Sequence, residues 1–544
     1  MKLLGAKPME LPVTHPCTIG ELLKENDIYM PAQCGGRGVC GKCRIRVCQG
    51  SLPVTHADEM CLTKDEIADG IRLACMAQIP AEAVQDAEAV QDAKEAQGTG
   101  AAQDTGAAGD AASDRLAIEL LWQEEEQIHA LGTKAQLGKA DVSHSFGIAI
   151  DIGSTTLALS LVDLDLGAVI DTVTGINHQR QFGADVISRI QASNEGKKEE
   201  LQQSIREDLN AAIDQLLKGY EVPKTQLARM TVAGNTTMQH LLMGYSCEGL
   251  GVYPFTAVSL AQESFDAQRV LGRDDLPQTT ILMLPGVSTY VGADITAGMY
   301  ACGMQQSDKP VLLVDLGTNG EMALGNREKI LVTSTAAGPA FEGGNISCGM
   351  GSIKGAISGA SIDPATKQCR VQTIENAAPV GICGTGVVEI MAELIGTKLV
   401  DETGVMDDDF FDDGYPLVEG IVFTQKDVRE LQLAKSAVRA GMEVLIAKYG
   451  ITAKDLAAVY IAGGFGFYLN MEKASAIGLI SQELLTVVKA AGNTSLQGAV
   501  LALTDPQAIV QMPKIAQMAE EIPLASDPMF TDLYMEHMMF GEEM

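Results

Sequence analysis

Four cysteines near the N-terminus limit what the first eighty residues can fold into more than any other feature. Cys34, Cys40 and Cys43 fall in the run CGGRGVCGKC, and Cys75 closes GIRLAC further on. Three thiols in one glycine-rich loop and a distant fourth converge only if the chain folds back on itself. C-x2-C alone would suit zinc. C-x5-C-x2-C with interleaved glycines and a remote fourth cysteine favours four thiolates on two irons, a [2Fe–2S] cluster. Gly35, Gly36, Gly38 and Gly41 let the main chain come close to inorganic sulfide, where backbone N–H groups can donate to it. Cys17, Cys48 and Cys61 lie outside the pattern and read as buried or incidental thiols. Cys247, Cys302, Cys348, Cys369 and Cys383 show no ligand spacing, so no second cluster is expected.

The chain has 544 residues, enough for several domains. No apolar run reaches the length of a membrane-spanning helix, and MKLLGAKPMELPV lacks the apolar core of a secretory signal. Twelve cysteines in such a chain fit a reducing cytoplasm. A formal charge of -32 argues against nucleic acid as a partner.

Residues 1–80 form the first unit, with ELPVTH a strand candidate, IGELLKEND (19–27) a short helix and CRIRVCQG (43–50) an alternating strand. The cysteine spacing, rather than the pattern, points to a β-grasp ferredoxin. Residues 81–113, with EAVQDA twice over and then QGTGAAQDTGAAGDAASD, nearly lack large apolar side chains and read as a flexible tether. LAIELLWQEEEQIHAL, in 114–145, reads as an amphipathic connecting helix capped by Ser113 or Asp114. From residue 146 the chain becomes α/β.

FGIAIDIGSTTLALSLVDL and VLLVDLGTNGEMALG each read as strand, tight turn, strand. Asp151-Ile-Gly-Ser-Thr aligned with Asp315-Leu-Gly-Thr-Asn makes an internal repeat. Such a hairpin offers small hydroxyls and bare N–H groups to phosphate, and its Asp suits Mg²⁺. Two of them across a cleft would grip a triphosphate for in-line attack by water. Asp151 and Asp315 are the expected metal and water organisers. Gly153, Ser154, Thr155 and Thr156, with Gly317, Thr318 and Asn319, are the phosphate contacts, and Glu321 is the candidate for orienting water. VAGNTTM (Asn235, Thr236, Thr237) reads equally as cleft or helix cap, and so does Asp294. AGPAFEGGNISCGM, with Glu342 and Asn345, reads as a cleft loop or a plain surface loop. His178 reads as structural. The Met-rich tail (Met529, Met535, Met538, Met539, Met544) reads as a surface for docking a partner, or as ordinary packing or disorder.

The arrangement resembles the actin, Hsp70 and sugar-kinase superfamily, which implies two ribonuclease-H-like lobes, 146–308 and 309–544, binding ATP. Gly463, Gly464 and Gly466 of IAGGFG fit its adenosine loop. Gly384, Thr385 and Gly386 of GICGTG fit a glycine turn opening a helix toward phosphate or ribose, or else tight helix–sheet packing. With the cysteine loop in front, and with HQRQFGADVISRI, VAGNTTM, PGVSTYVGADITAG and AGPAFEGGNISCGM in order, the chain resembles the reductive activators of corrinoid proteins. Two departures stand out: the duplicated acidic tether, and a tail without the Cys-rich [4Fe–4S] motif of some relatives.

That resemblance implies ATP-dependent return of inactive Co(II) to Co(I) in a methyltransferase system. Its partners would be a corrinoid protein and a low-potential electron donor, and its assembly a homodimer. The rival readings are an activator of a radical dehydratase or reductase, and a nucleotide-switched redox-sensing binding protein.

Overall fold

The computed structural model describes the chain except residues 5–8, 27, 29, 31–37, 39–40, 42, 81–115, 122–142, 464–468 and 541–544. The expected tether, Cys34, Cys40, Gly464 and Gly466 lie outside the described residues. The chain divides into two compact units, Met1–Glu126 with Gln179–Arg189, and Gln127–His178 with Ile190–Met544.

The first unit holds a five-stranded sheet in the order β2-β1-β5-β3-β4. Its strands are β1 (Lys2–Leu4), β2 (Met9–Glu10), β3 (Arg44–Gln49), β4 (Ile71–Leu73) and β5 (Ala117–Leu120). The helix Ile19–Glu25 buries Ile19, Leu22 and Leu23. This is the β-grasp arrangement, with one correction. Residues 117–120 are not the start of a connecting helix. They form the central strand, parallel to β1 and antiparallel to β3, with Ile118 opposite both Leu3 and Val47. Leu116, Ala117 and Ile118 are buried there, and pairing on both sides satisfies the backbone of a segment whose apolar pattern suits either period. Of ELPVTH, only Glu10 lies in a strand, and Leu11 exchanges backbone hydrogen bonds with Met1.

The second unit carries two six-stranded sheets of matching plan. In one, β6 (Phe146–Ile152), β7 (Thr156–Asp163) and β8 (Ala168–Ile176) form an antiparallel meander. Next to β6 lie β9 (Leu227–Gly234), then β11 (Thr280–Met283), both parallel to it, with β10 (Glu263–Asp266) at the edge. In the other, β12 (Val311–Leu316), β13 (Gly320–Gly325) and β14 (Ile330–Thr335) repeat the meander. β15 (Ala356–Ile362), β16 (Cys369–Thr373) and β17 (Gly381–Ile382) form a small separate sheet, and β18 (Tyr415–Val418) with β19 (Ile421–Phe423) a hairpin. β20 (Ala458–Ala462) and β21 (Val488–Gly492) complete the parallel half beside β12, and β22 (Ala519–Glu521) lies against β14. The repeat read from two pentapeptides is thus a repeat of whole lobes. Each central strand is apolar because it is covered on both faces: β6 and β12 have one incompletely buried residue each, Asp151 and Asp315.

The described part of the tail packs against its own chain, as the ordinary-packing reading has it. The helix Pro528–Glu536 lies along the helix Gln425–Tyr449. Lys435 Nζ donates to the carbonyls of His537 and Met539, each at 2.5 Å, and lies 4.8 Å above the ring of Phe540. Ser436 Oγ donates to the His537 carbonyl and Gln432 Nε2 to that of Met538, both at 2.7 Å. Burial, then Arg439, pushes the Lys435 ammonium down to about 7. Lys435→Met should leave the Met539 carbonyl without this donor and the His537 carbonyl with Ser436 alone, and cost about 1–3 kcal/mol, read as an earlier urea midpoint and faster proteolytic loss of the tail. An unchanged midpoint would contradict this role.

Candidate functional site

In the first unit, Cys43 and Cys75 bring their Sγ atoms to 3.3 Å. That is well beyond a disulfide bond of about 2.05 Å and close enough for two thiolates to share one metal. Gly38 and Gly41, which flank Cys40, have φ of +73° and +65°. Cys61, at the end of the helix His56–Cys61, donates from Sγ to the Gly38 carbonyl at 3.4 Å, so it is engaged rather than incidental. The fully buried Asp58 ties that helix to β4 by accepting from Leu73 N at 2.8 Å, which sets the approach to Cys75.

In the second unit the two hairpin turns face each other. Ser154 and Thr318, equivalent in the internal repeat, bring their hydroxyls to 3.3 Å. Thr318 Oγ1 and Thr155 Oγ1 donate to one oxygen of Glu342, at 2.8 and 3.0 Å. Glu342 is thereby a cleft residue, and its loop is not a plain surface loop. Each turn is closed by its glycine N–H, but differently: Gly153 N donates to Thr156 O, three residues on, and Gly317 N to Asn319 O, two residues on, both at 3.0 Å. Asp315 and Glu321 are direct cross-strand partners, so their side chains share one face. Asn319 Nδ2 donates to Glu321 at 3.1 Å.

Asp294, in the first turn of the helix Ala293–Ala301, joins these carboxylates. The cleft reading holds, since Gly292 occupies the N-cap. Asn235 caps its helix by accepting from Met238 N at 2.9 Å, the cap reading for VAGNTTM. Asp151 points both oxygens at side chains that sequence reasoning did not single out: Asn493 Nδ2 donates at 2.7 Å and Ser495 Oγ at 2.6 Å.

Burial pushes Asp315 up to about 8, with repulsion from Asp294, Asp151 and Glu342 adding to it. Burial, then Asp151, lifts Asp294 to about 7. Glu321 is raised well above the usual range by burial, then by Asp294 and Asp315. Asp151 is raised by burial, against which Ser495 and Asn493 act. Among the described residues no Lys or Arg forms an ion pair with Asp151, Asp294, Asp315 or Glu321. Hard oxygen donors held together against their own repulsion fit Mg²⁺.

Raised carboxyl pKa values favour the protonated fold. Stability is greatest below the unfolded value near 4 and is lost as pH rises through about 7 to 8. Without nucleotide or Mg²⁺, stability should fall as pH rises from about 5 to 7, with Asp294 and Asp315 titrating together. Chemical denaturation at stepped pH, with and without Mg²⁺ and ATP, checks this. The slope should flatten with both ligands present, and a slope they leave untouched would contradict the assignment.

Gly463, at φ +100°, places its α-carbon where a Cβ would lie 2.4 Å from Leu316 O and 3.0 Å from an Asp315 oxygen. Only glycine lets that loop come so close to the second hairpin. Gly384, Thr385 and Gly386 open the helix Gly384–Gly396 and are buried. A Cβ at Gly386 would lie 2.1 Å from Ile357 O, so that glycine serves helix–sheet packing. His178 is structural, its ring 2.6 Å from Asp208.

Residues 5–80 match the 2Fe-2S iron-sulfur cluster binding domain, residues 146–307 the RACo middle region, and residues 309–544 the C-terminal ASKHA domain of RACo. The chain is 34% identical over 427 residues to the corrinoid activation enzyme RamQ of Eubacterium limosum, covering 73% of this chain and 70% of that one. The chain belongs to the reductive activators of corrinoid proteins. A second member of these activators, from Methanosarcina barkeri, is a [Co(II) methylated amine-specific corrinoid protein] reductase, 27% identical over 72% of this chain and 76% of that one. The solved structure of a reductive activator for a corrinoid, iron-sulfur protein aligns over 99% of this chain and 98% of its own. Its TM-score is 0.68 and its identity 28%. In this chain an iron–sulfur domain and an ASKHA ATPase core are joined, and it takes a [2Fe–2S] cluster, ATP and Mg²⁺. No helix among the described residues is long and apolar enough to cross a membrane.

Proposed function

We propose that this activator returns the Co(II) of a corrinoid protein in a methyltransferase system to Co(I), with ATP hydrolysis driving the uphill electron. One observation carries the reading: a single chain joins the Cys43–Cys75 thiol pair to a carboxylate-lined cleft where Ser154 meets Thr318. Cys34, Cys40, Cys43 and Cys75 would hold the cluster. Bound there, it supplies a one-electron relay.

Asp315, with Asp294 and Glu321, would hold Mg²⁺. Gly153–Thr156 and Gly317–Asn319 would bind phosphate, with Gly463 toward the nucleoside. Glu342 accepts from both hairpins and so holds their hydroxyls in place. A phosphate between Ser154 and Thr318 would take over hydroxyls that now meet each other, favouring one setting of the lobes over the other. For a one-electron couple each 59 mV is tenfold in equilibrium, so a nucleotide that selects the more easily reduced state of the partner adds directly to the driving force. The reading includes a low-potential electron donor, a homodimeric assembly and a reducing cytoplasm for the thiols.

The test is anaerobic. The reduced, iron-loaded chain is mixed with a Co(II) corrinoid protein, and the visible spectrum is followed for Co(I). Co(I) should accumulate with ATP and Mg²⁺ and not with a non-hydrolysable analogue. ATP hydrolysis that leaves cobalt as Co(II) across several corrinoid proteins would favour the radical-enzyme activator instead.

A further inference from the structure

Asn177 is a fully buried amide at the first residue beyond β8. Its Nδ2 donates to the Gly153 carbonyl at 2.9 Å, and its backbone N–H donates to the Thr155 carbonyl, also at 2.9 Å. One residue thus takes the main-chain oxygens on both sides of Ser154 in the first hairpin. Nδ2 also meets Met238 Sδ at 3.5 Å, on the buried helix Thr236–Met243.

The amide is itself held from both neighbours. Ile176 sits opposite Thr156 in the ladder between β7 and β8. His178 N donates to Asp208 Oδ2 at 2.9 Å and its ring lies 2.6 Å from Oδ1, which ties it to the helix Lys198–Gly219. The effect on the turn follows from peptide geometry. In a trans peptide the C=O and N–H point in opposite directions. Drawing the Gly153 carbonyl to Asn177 therefore turns the Ser154 N–H to the other side. A phosphate site needs N–H groups and hydroxyls toward the anion and carbonyl oxygens away from it. Ser154 Oγ faces Thr318 Oγ1 at 3.3 Å. The second hairpin is held by a different device, the Thr318 hydroxyl donating to Glu342.

We propose that Asn177 is the positioning residue of the first phosphate hairpin: by taking the carbonyls of Gly153 and Thr155, it presets the turn that offers Ser154 to phosphate. This rests on the nucleotide-binding reading of the cleft and adds a residue that lies outside both repeated pentapeptides. Asn177 touches no phosphate and acts only through the turn. Its donors carry the role, since a side chain that merely filled the space would need size alone.

The test is equilibrium dialysis of the full-length, cluster-loaded chain with Mg²⁺ against labelled ATP and, separately, labelled adenosine. Asn177→Leu keeps nearly the same side-chain volume and removes the side-chain donor. It should weaken ATP binding about tenfold and leave adenosine binding unchanged, because adenosine has no phosphate for the hairpin to hold. Asn177→Asp, which keeps the shape and also lacks the donor, should do the same. Wild-type ATP affinity in these variants, or equal weakening of ATP and adenosine, would overturn the proposal. Should neither variant fold, hydrogen exchange of the nucleotide-free wild type decides. The Gly153 and Asn177 N–H groups, bonded to the Thr156 and Thr155 carbonyls, should already exchange slowly, and fast exchange at both would overturn a preset turn. A wild type that binds neither ATP nor adenosine would instead overturn the nucleotide reading, and the role of Asn177 with it.

Discussion

Asp315→Asn is expected to lower ATP hydrolysis by about 10²–10³-fold while making the nucleotide-free chain more stable. The two effects have one cause. Asp315 sits on the cleft floor with Asp294, Asp151 and Glu342 near enough to repel its charge, and burial disfavours that charge further. Ionising it in the fold opposes folding increasingly as pH rises from 4 toward 8, whereas an amide cannot ionise. The variant should therefore gain roughly 2 kcal/mol or more over wild type at pH 8 and little at pH 4. The same amide cannot offer Mg²⁺ an anionic ligand, so the transition-state charge goes unbalanced. Paired denaturation curves and ATPase rates at pH 5 and pH 8 separate the outcomes. Loss of activity together with loss of stability would mean that Asp315 holds the fold together instead.

A fragment ending at residue 80 is expected not to fold or to hold its cluster, although it contains all four cysteines. A fragment ending at residue 126 should do both. The shorter piece lacks β5, the strand between β1 and β3. Leu116 and Ile118, buried in the core of this unit, each contribute about 1.5–3 kcal/mol. Small domains rarely have more than about 3–5 kcal/mol in hand, so losing both, with the pairing on two sides, removes the margin. Circular dichroism and iron content after reconstitution read the result. A folded, iron-loaded 1–80 fragment would show that β5 is an accessory.

What could be read ahead of the structure was local. The cysteine loop is legible because ligand spacing over ten residues is a property of one turn. The hairpins are legible because Asp-x-Gly-Ser/Thr carries strand end, close approach and hydroxyl within five residues, and because it occurs twice. β5 escaped notice because a long low-complexity stretch separates it from its partners, and LAIELL suits a helix as well as a strand. Asp294 and Glu342 were legible only as one of two readings each, and Asn493 and Ser495, at the start of one helix, were not singled out at all, because only the folding of distant elements around one cleft gathers these side chains. Asn493 had a faint signal, an amide before a helix, but a cap is the ordinary meaning of that signal, and here the residue does both.

The central claim is that one chain couples an electron to a phosphoanhydride, and a single-turnover mixing experiment tests it most directly. The chain, reduced by one electron at its cluster and freed of reductant, is mixed anaerobically with a Co(II) corrinoid protein, with and without ATP and Mg²⁺. Cluster bleaching and Co(I) absorbance are followed together. Recovery of the oxidised-cluster spectrum should match Co(I) growth in rate and amount, and only with ATP. Equal Co(I) growth without ATP, or ATP consumed while the cluster stays reduced, would contradict the coupling.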